Sequence, residues 1–302
     1  VRVGVTGSSG LIGRALVEAL RAADHDVIFF RRPGAGVATE RTIAWDPAAG
    51  TLARADLESA NPLDAVVHLA GAGIGDRRWS TTRKAEILNS RVRSTTLLVD
   101  ALAQLPTKPF LLSASAIGFY GSRGDDVLDE TSGPGEGFLA EVCRAWEREA
   151  EHYRTLGGPV AVARTGIVLD LAGGALKRQA PLFRAGLGGR LGNGQQWVSP
   201  ISLLDEVRAL TWLVERQLPG TFNLCSPEPL RNVALTRIIG DALRRPTLMP
   251  APAFALRAVL GAEMANELLL SSQRVLPSAL LAHGFAFIHP RSDDLMRYAL
   301  KS

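Results

Sequence analysis

Cysteine is nearly absent: Cys143 and Cys225 are the only two in 302 residues, and neither stands in a metal-type Cys pair. Two cysteines cannot make a disulfide framework, so both read as small buried residues of a reducing compartment. The five histidines are scattered without ligand spacing, so no metal is expected. No apolar run is long and charge-free enough to span a bilayer, and no membrane partner is expected. Aromatics make up only 6% of the chain, and its 34 lysines and arginines form no long block. A nucleic-acid partner is therefore not expected, although the net charge is +4 and the pI is near 9.4. The mild basicity fits an anionic cofactor and substrate equally well. What remains is ordinary for a soluble globular protein, at 46% hydrophobic and 21% charged residues. This length holds one large α/β domain, or a nucleotide domain with a smaller companion. The first strand begins at Val1, so no signal peptide is expected before it, and the expected location is cytoplasmic. The missing initiator Met leaves an upstream segment open.

What is present is a glycine-spaced turn at the start of the chain. Val1 to Val5 is a short β-branched run that reads as a buried strand. It leads into Thr6-Gly7-Ser8-Ser9-Gly10-Leu11-Ile12-Gly13, and a helix follows with Leu11, Ala15, Leu16, Ala19 and Leu20 apolar. In such a turn the first glycine makes the tight bend and the second lets backbone approach phosphate. The third lets helix pack on strand. The helix N-terminus adds free N–H groups and a positive dipole end. An ordinary strand–helix turn is the alternative; the context favours a pyrophosphate cradle formed by Gly7, Ser8, Ser9, Gly10, Leu11, Ile12 and Gly13. Two residues separate each pair of glycines. That wider first gap resembles the short-chain dehydrogenase/reductase superfamily, especially its extended members, and the resemblance implies binding of NAD or NADP.

Asp26 to Phe30 reads as a second strand, ending at Arg31-Arg32-Pro33-Gly34, with a further strand at Thr42 to Trp45. Ala65 to Leu69 is the next, running into Ala70-Gly71-Ala72-Gly73. A long helix is predicted over about Ser80 to Leu105, with Ile87, Val92, Leu97, Leu98 and Leu102 inward. Pro109 to Leu112 starts a strand that ends in Ser113-Ala114-Ser115-Ala116. A polar turn-rich segment, a helix from Phe138 to about Arg154 and a strand at Val160 to Arg164 follow. This alternation predicts an α/β fold, a Rossmann-type doubly wound parallel sheet with right-handed crossovers. Ligands of such sheets bind beyond the carboxyl ends of the strands. The Gly-rich turn, Arg31, Ala70-Gly71, Ser113 to Ser115 and Arg164 to Gly166 all fall there. Past Gly166 the pattern is irregular: a Gly-rich stretch from Gly173 to Gly194, a strand at Gly220 to Leu224, a helix near Val233 to Leu243, then a Pro- and Leu-rich helical tail. The expected division is a cofactor domain over residues 1–172, to which the Gly220 to Leu224 strand returns, and a discontinuous substrate lobe over 173–302.

Arg31 and Arg32 stand where an acidic residue would bind the adenosine ribose of NAD. Two guanidiniums there suit a 2′-phosphate, so NADP(H) is favoured over NAD(H); a solvated basic loop is the alternative. Leu69, Ala70, Gly71, Arg91, Ser113 and Arg164 complete the expected cofactor contacts. Ser113-Ala114-Ser115-Ala116 with Tyr120-Gly121 resembles the serine motif of extended short-chain dehydrogenases. In that family the serine polarises the substrate oxygen, and a tyrosine on the next helix moves the proton. A lysine one turn later lowers the tyrosine pKa. Aligned with that helix, Leu139 takes the tyrosine position and Cys143 the lysine position, while Arg91 replaces an asparagine. Of the family's four-residue site, Ser115 alone remains. Tyr120 is a candidate replacement phenol, with a packing role the stronger alternative. Lys84, Arg78 and Arg91 could hold an anionic substrate or simply face solvent.

The departures themselves resemble a subfamily. Arg77-Arg78-Trp79, Ser90-Arg91-Val92, Trp146-Glu147, Gly173-Gly174-Ala175-Leu176, Gly188 to Gln196 and Gln273-Arg274-Val275-Leu276-Pro277 are similar to atypical members labelled NAD-dependent epimerase/dehydratase-like, some named as cell-division inhibitors. Ser199-Pro200-Ile201-Ser202 lies where many relatives carry Trp-Ile-His. Two functions stay open. One is an NADP(H)-dependent oxidoreductase or nucleotide-sugar epimerase-like enzyme with a non-standard proton donor, acting on a small molecule, anionic or a sugar nucleotide. The other is a non-catalytic cofactor-binding regulator or redox sensor. The substrate lobe tilts the reading towards an enzyme.

Overall fold

A computed structural model describes residues 1–33 and 41–301, so Gly34, at the end of the turn read after the second strand, lies outside the described residues. The first half contains β1 (Arg2–Thr6), α1 (Leu11–Ala22), β2 (Asp26–Arg31), β3 (Thr42–Asp46), β4 (Thr51–Leu52), α2 (Arg54–Ala60), β5 (Ala65–His68) and α3 (Thr81–Ala103). Then come β6 (Phe110–Ala116), a 3₁₀ turn (Ile117–Tyr120), β7 (Val127–Leu128), α4 (Phe138–Thr155), β8 (Val160–Thr165) and β9 (Ile167–Asp170). The chain continues through α5 (Gly174–Arg184), β10 (Trp197–Val198), β11 (Pro200–Ser202), α6 (Leu203–Arg216), β12 (Gly220–Leu224), β13 (Leu230–Arg231) and α7 (Asn232–Leu243). It ends with α8 (Ala253–Leu260), α9 (Ala262–Leu268), β14 (Arg274–Val275), α10 (Ser278–Ala282) and α11 (Ser292–Ala299).

The main sheet has the order β12-β8-β6-β5-β1-β2-β3-β4. All its pairings are parallel except β3 with β4. From β1 the chain winds one way through β2 and β3, then returns to β5 on the other side of β1. The fold is a doubly wound Rossmann-type sheet, and its switch point lies between β1 and β5. Both faces are covered, which is why the strands read as continuous apolar runs. On one face α1 and α6 pack against Val3, Val5, Phe29, Val67, Leu112 and Phe222. On the other, α3 and α4 cover Phe30, Val66, Leu111 and Val162. In α3, Ile87, Leu98 and Leu102 are buried as the periodicity predicts, while Val92 and Leu97 are only half-buried.

Two helices sit where the sequence reads as irregular. Gly174–Arg184 forms α5 despite its glycine-rich flanks. α6 begins at Ser202, whose side chain accepts from Asp205 N, and buries Val207, Leu210, Leu213 and Val214 at helical spacing. That cap and period were visible signals of a crossover helix. It delivers β12 to the edge of the main sheet beside β8. A smaller core of Leu169, Leu176, Phe183, Ile239, Leu295 and Met296 joins α5, α7 and α11. The tail docks back through α9. Glu267 accepts hydrogen bonds from Phe138 N (2.9 Å) and Leu139 N (2.7 Å), capping α4, and Glu263 pairs with Lys84 at 2.6 Å. Among the described residues no helix is long and apolar enough to cross a membrane.

Candidate functional site

The glycine turn is built as its spacing predicts. Gly7 adopts φ +67°, and a Cβ there would stand 2.8 Å from the Leu69 backbone. A Cβ at Gly13 would collide with Gly7 O and Ser8 Cα, so α1 can approach β1 only over a glycine. Gly10 differs: its added Cβ would meet only Gly7 O, at 3.4 Å, and the residue is exposed. No side chain caps α1 and its first turn holds no acid. The first-turn amides thus have no side-chain cap at the positive end of the helix, and the space beside Gly10 is open, which fits a diphosphate. Ser9 is exposed and Ser8 half-buried, whereas the Leu11 side chain lies against Gly173 and Ile12 packs on the core.

Beside the cradle Thr6 ties the end of β1 to the end of β5. Its hydroxyl accepts from Leu69 N (3.1 Å) and Ala70 N (3.2 Å), so its own proton goes to His68 Nδ1, 2.8 Å away. The other ring nitrogen of His68 then donates to Thr95 (3.0 Å) or Ser94 (3.2 Å). Neither His68 nor Thr6 was singled out from the sequence. The loop after β5 is held by arginines. Arg91 donates to Ala72 O and Ile87 O at 3.0 Å, Arg83 donates to Gly73 O, and Arg178 of α5 donates to Gly75 O. Arg91 also lies against Gly71 and over the Trp146 ring. It is a loop anchor in this arrangement. Arg31, at the end of β2, stacks on Phe29 with 4.3 Å to the ring centroid, and Arg32 is exposed next to it.

Ser115, Tyr120 and Arg164 come together in one buried network around a residue given no role in the sequence reading, Glu147. Ser115 Oγ donates to Glu147 Oε1 at 2.6 Å. Arg164 grips the same carboxylate with Nε (2.9 Å) and Nη2 (2.8 Å). Arg164 Nη1 donates to the Tyr120 hydroxyl at 3.0 Å, and that hydroxyl donates to Asn223 Oδ1 at 2.8 Å. Tyr120 is wholly buried, and burial pushes its phenol up to about 12. Both its valences are used, so the geometry favours the packing role over a replacement acid. Arg164 is buried too, with its guanidinium 3.5 Å from the Phe119 ring centroid, and Ser113 is wholly inside. These two, read as cofactor contacts, face the protein interior.

Leu139 and Cys143 both face Gly118 in the 3₁₀ turn after Ser115. Glu147 lies one helical turn further along the same face. The i, i+4, i+8 spacing with Leu139 and Cys143 was the signal that could have found it. Burial and then Glu147 push the Cys143 thiol up to about 11. The other tyrosines are elsewhere: Tyr153 donates to Pro109 O and Tyr298 stacks on His289. Among the described residues, no cluster of His, Cys, Asp and Glu could hold a metal ion.

Two buried groups set opposite pH slopes. Burial, then Arg91, pushes His68 down to about 3 from 6.5, so it is neutral in the fold. Its contribution is present above pH 6.5 and is lost as pH falls towards 3. Burial pushes Glu206 of α6 up to about 8 from 4.5; Thr165 donates to Oε1, while Oε2 has no partner. Its contribution is present below pH 4.5 and is lost as pH rises towards 8. Stability is therefore expected to fall between pH 6.5 and 8 by up to about 1.4 kcal/mol per unit through Glu206. In Glu206→Gln that fall should flatten. Urea midpoints at the two pH values check this, and an equal drop in both proteins would assign the slope elsewhere.

Residues 3–162 match the model of the NAD dependent epimerase/dehydratase family, and residues 251–299 match a domain of unknown function. An epimerase family protein of Mycobacterium bovis is 44% identical over 298 residues, covering 98% of this chain and 97% of the relative. The chloroplastic epimerase family protein SDR39U1 homolog of Arabidopsis thaliana is 37% identical over 302 residues, 98% of this chain and 85% of its own. The crystal structure of human epimerase family protein SDR39U1 (isoform 2) with NADPH aligns over 100% of both chains, at a TM-score of 0.88 and 30% identity. With the cradle, the switch point and the missing tyrosine and lysine already in view, these matches give the affiliation: the chain belongs to the NAD dependent epimerase/dehydratase family, as an atypical member of the short-chain dehydrogenase/reductase superfamily.

Proposed function

We propose that this NAD(P)-binding protein takes NADP(H) in preference to NAD(H). We further propose that it acts as an oxidoreductase or epimerase-like enzyme on a small molecule, anionic or a sugar nucleotide. The observation that carries this is the open Gly10 cradle at the switch point, with β2 ending at Arg31 and Arg32 following it. The first-turn amides of α1 would hold the diphosphate, and Arg31 and Arg32 the 2′-phosphate. A nicotinamide ring, when bound, supplies two-electron redox chemistry. The loop after β5, with its carbonyls held by Arg83, Arg91 and Arg178, would form the wall of the cleft. NADPH in the human relative supports the cofactor preference. Two buried free thiols fit a reducing, cytoplasmic compartment.

Arg31→Ala is expected to weaken NADPH binding by about 1.5–3 kcal/mol and to leave NADH nearly unchanged. Tryptophan fluorescence titration with both cofactors tests it, and equal affinities in the native protein would overturn the preference. A second reading, a cofactor-bound regulator without turnover, is favoured by one observation. Ser115 is committed to Glu147, the tyrosine and lysine positions hold Leu139 and a neutral Cys143, and Tyr120 is fully engaged. Incubation with NADPH and a panel of sugar nucleotides and carbonyl compounds separates the two readings.

A further inference from the structure

We infer that Ser115 presents a lone pair, not a proton, to the bound dinucleotide, and that Glu147 is the positioning residue that sets this polarity. The inference rests on the dinucleotide reading above. A serine hydroxyl has one proton and two acceptor lone pairs. The Ser115 proton is committed at 2.6 Å to Glu147 Oε1, a carboxylate that can only accept. Glu147 cannot turn away, because Arg164 holds both its oxygens in a fork at 2.9 and 2.8 Å. Every other proton of the network is also directed inward. Arg164 Nη1 donates to Tyr120, Tyr120 to Asn223 Oδ1, and Asn223 Nδ2 to Leu276 O at 2.9 Å. The Cys143 thiol, kept protonated by burial, donates to Ala116 O at 3.7 Å. Ser115 is 4% exposed and lies at the carboxyl end of β6, the edge at which ligands of such sheets bind. A ligand that reaches its hydroxyl finds an acceptor. The nicotinamide carboxamide is the part of the dinucleotide with N–H groups to offer beyond the adenine, and we assign the contact to it. This polarity is the reverse of a serine that polarises a substrate carbonyl by donation.

The test compares NADP⁺ with its 3-acetylpyridine analogue, which keeps the carbonyl and replaces the NH₂ by methyl. Affinities are read by tryptophan fluorescence, with no turnover needed. The native protein should prefer NADP⁺ about three- to tenfold, the worth of one hydrogen bond. In Ser115→Ala the preference should vanish, with the Glu147–Arg164 pair and the melting temperature retained. In the Glu147→Met, Arg164→Met double variant no carboxylate holds the serine proton, so it can be donated to a carbonyl and the preference should shift towards the analogue. A merely structural role for Glu147 would weaken both ligands alike. Should the double variant not fold, Ser115→Ala decides alone. Preference for NADP⁺ unchanged in Ser115→Ala overturns this inference only. Failure of the native protein to bind NADP⁺ overturns the dinucleotide reading and this inference with it.

Discussion

Gly10→Val is expected to abolish dinucleotide binding in a protein that still folds, whereas Gly13→Val is expected not to fold. The two glycines are three residues apart in one turn, yet their surroundings differ. Gly10 has φ −72° and ψ 173°, a conformation that a β-branched residue adopts freely, and its Cβ would make one ordinary contact, with Gly7 O. The valine methyls would then fill the space in front of the α1 amides. Losing several charge-assisted hydrogen bonds to a diphosphate should weaken NADPH binding by on the order of a hundredfold or more. Gly13 has no such room, because its Cβ meets the backbone of Gly7 and Ser8, which cannot rotate away. Relief requires pushing α1 off the sheet, an overpacking cost of about 3 kcal/mol or more. Fluorescence titration and thermal melting of the two variants check the contrast. A folded Gly10→Val protein with native NADPH affinity would show that the diphosphate binds elsewhere.

Glu147→Ala should destabilise the protein by about 3–5 kcal/mol, because it strands the Arg164 guanidinium in the interior. Arg164 is 5% exposed, and Glu147 satisfies two of its nitrogens. The remaining contacts, with Tyr120 and the Phe119 ring, do not neutralise it. The double variant Glu147→Met with Arg164→Met should recover most of the loss, since replacing a buried pair by apolar side chains of similar volume is often near neutral. Urea unfolding of the single and double variants separates the penalty of an unpaired charge from the net worth of the pair. A loss below about 1 kcal/mol in Glu147→Ala would mean that the pair is solvated, as surface pairs are.

Much of the architecture was legible because it is written locally. The runs at Val3 to Val5, Ala65 to His68 and Val160 to Arg164 are buried on both faces, so each reads as a strand without its neighbours. The cradle is legible for the same reason: seven consecutive residues carry it. The buried network around Ser115 is assembled differently. Glu147, Arg164, Tyr120 and Asn223 come from α4, β8, the 3₁₀ turn and β12, and only the parallel register of β6, β8 and β12 brings them together. Sequence placed Ser115, Tyr120 and Arg164 at the correct edge of the sheet but could not say which way each points. Tyr120 and Arg164 turn inward because Asn223 and Glu147 supply buried partners there. α6 is announced by its Ser202 cap and helical spacing, whereas the glycines that flank α5 mask its helical core.

The capping of α4 by Glu267 imposes an order of assembly on the molecule. Chains are made from the N-terminus, and their domains fold as they emerge. β1, α1, β2 and β5, which make the cradle, precede the rest, but their core also takes α6 and Leu280 and Phe285 from the tail. The helix that carries Leu139, Cys143 and Glu147 emerges with its first amides unsatisfied and stays so until α9 arrives. Asn223 likewise waits for Leu276 O before its amide is satisfied. Both the core under the cradle and the network around Ser115 are thus completed by residues from later in the chain. The tail also joins that network's surroundings directly, with Gln273 donating to Ile117 O at 3.1 Å and Val275 packing with Tyr120 and Cys143.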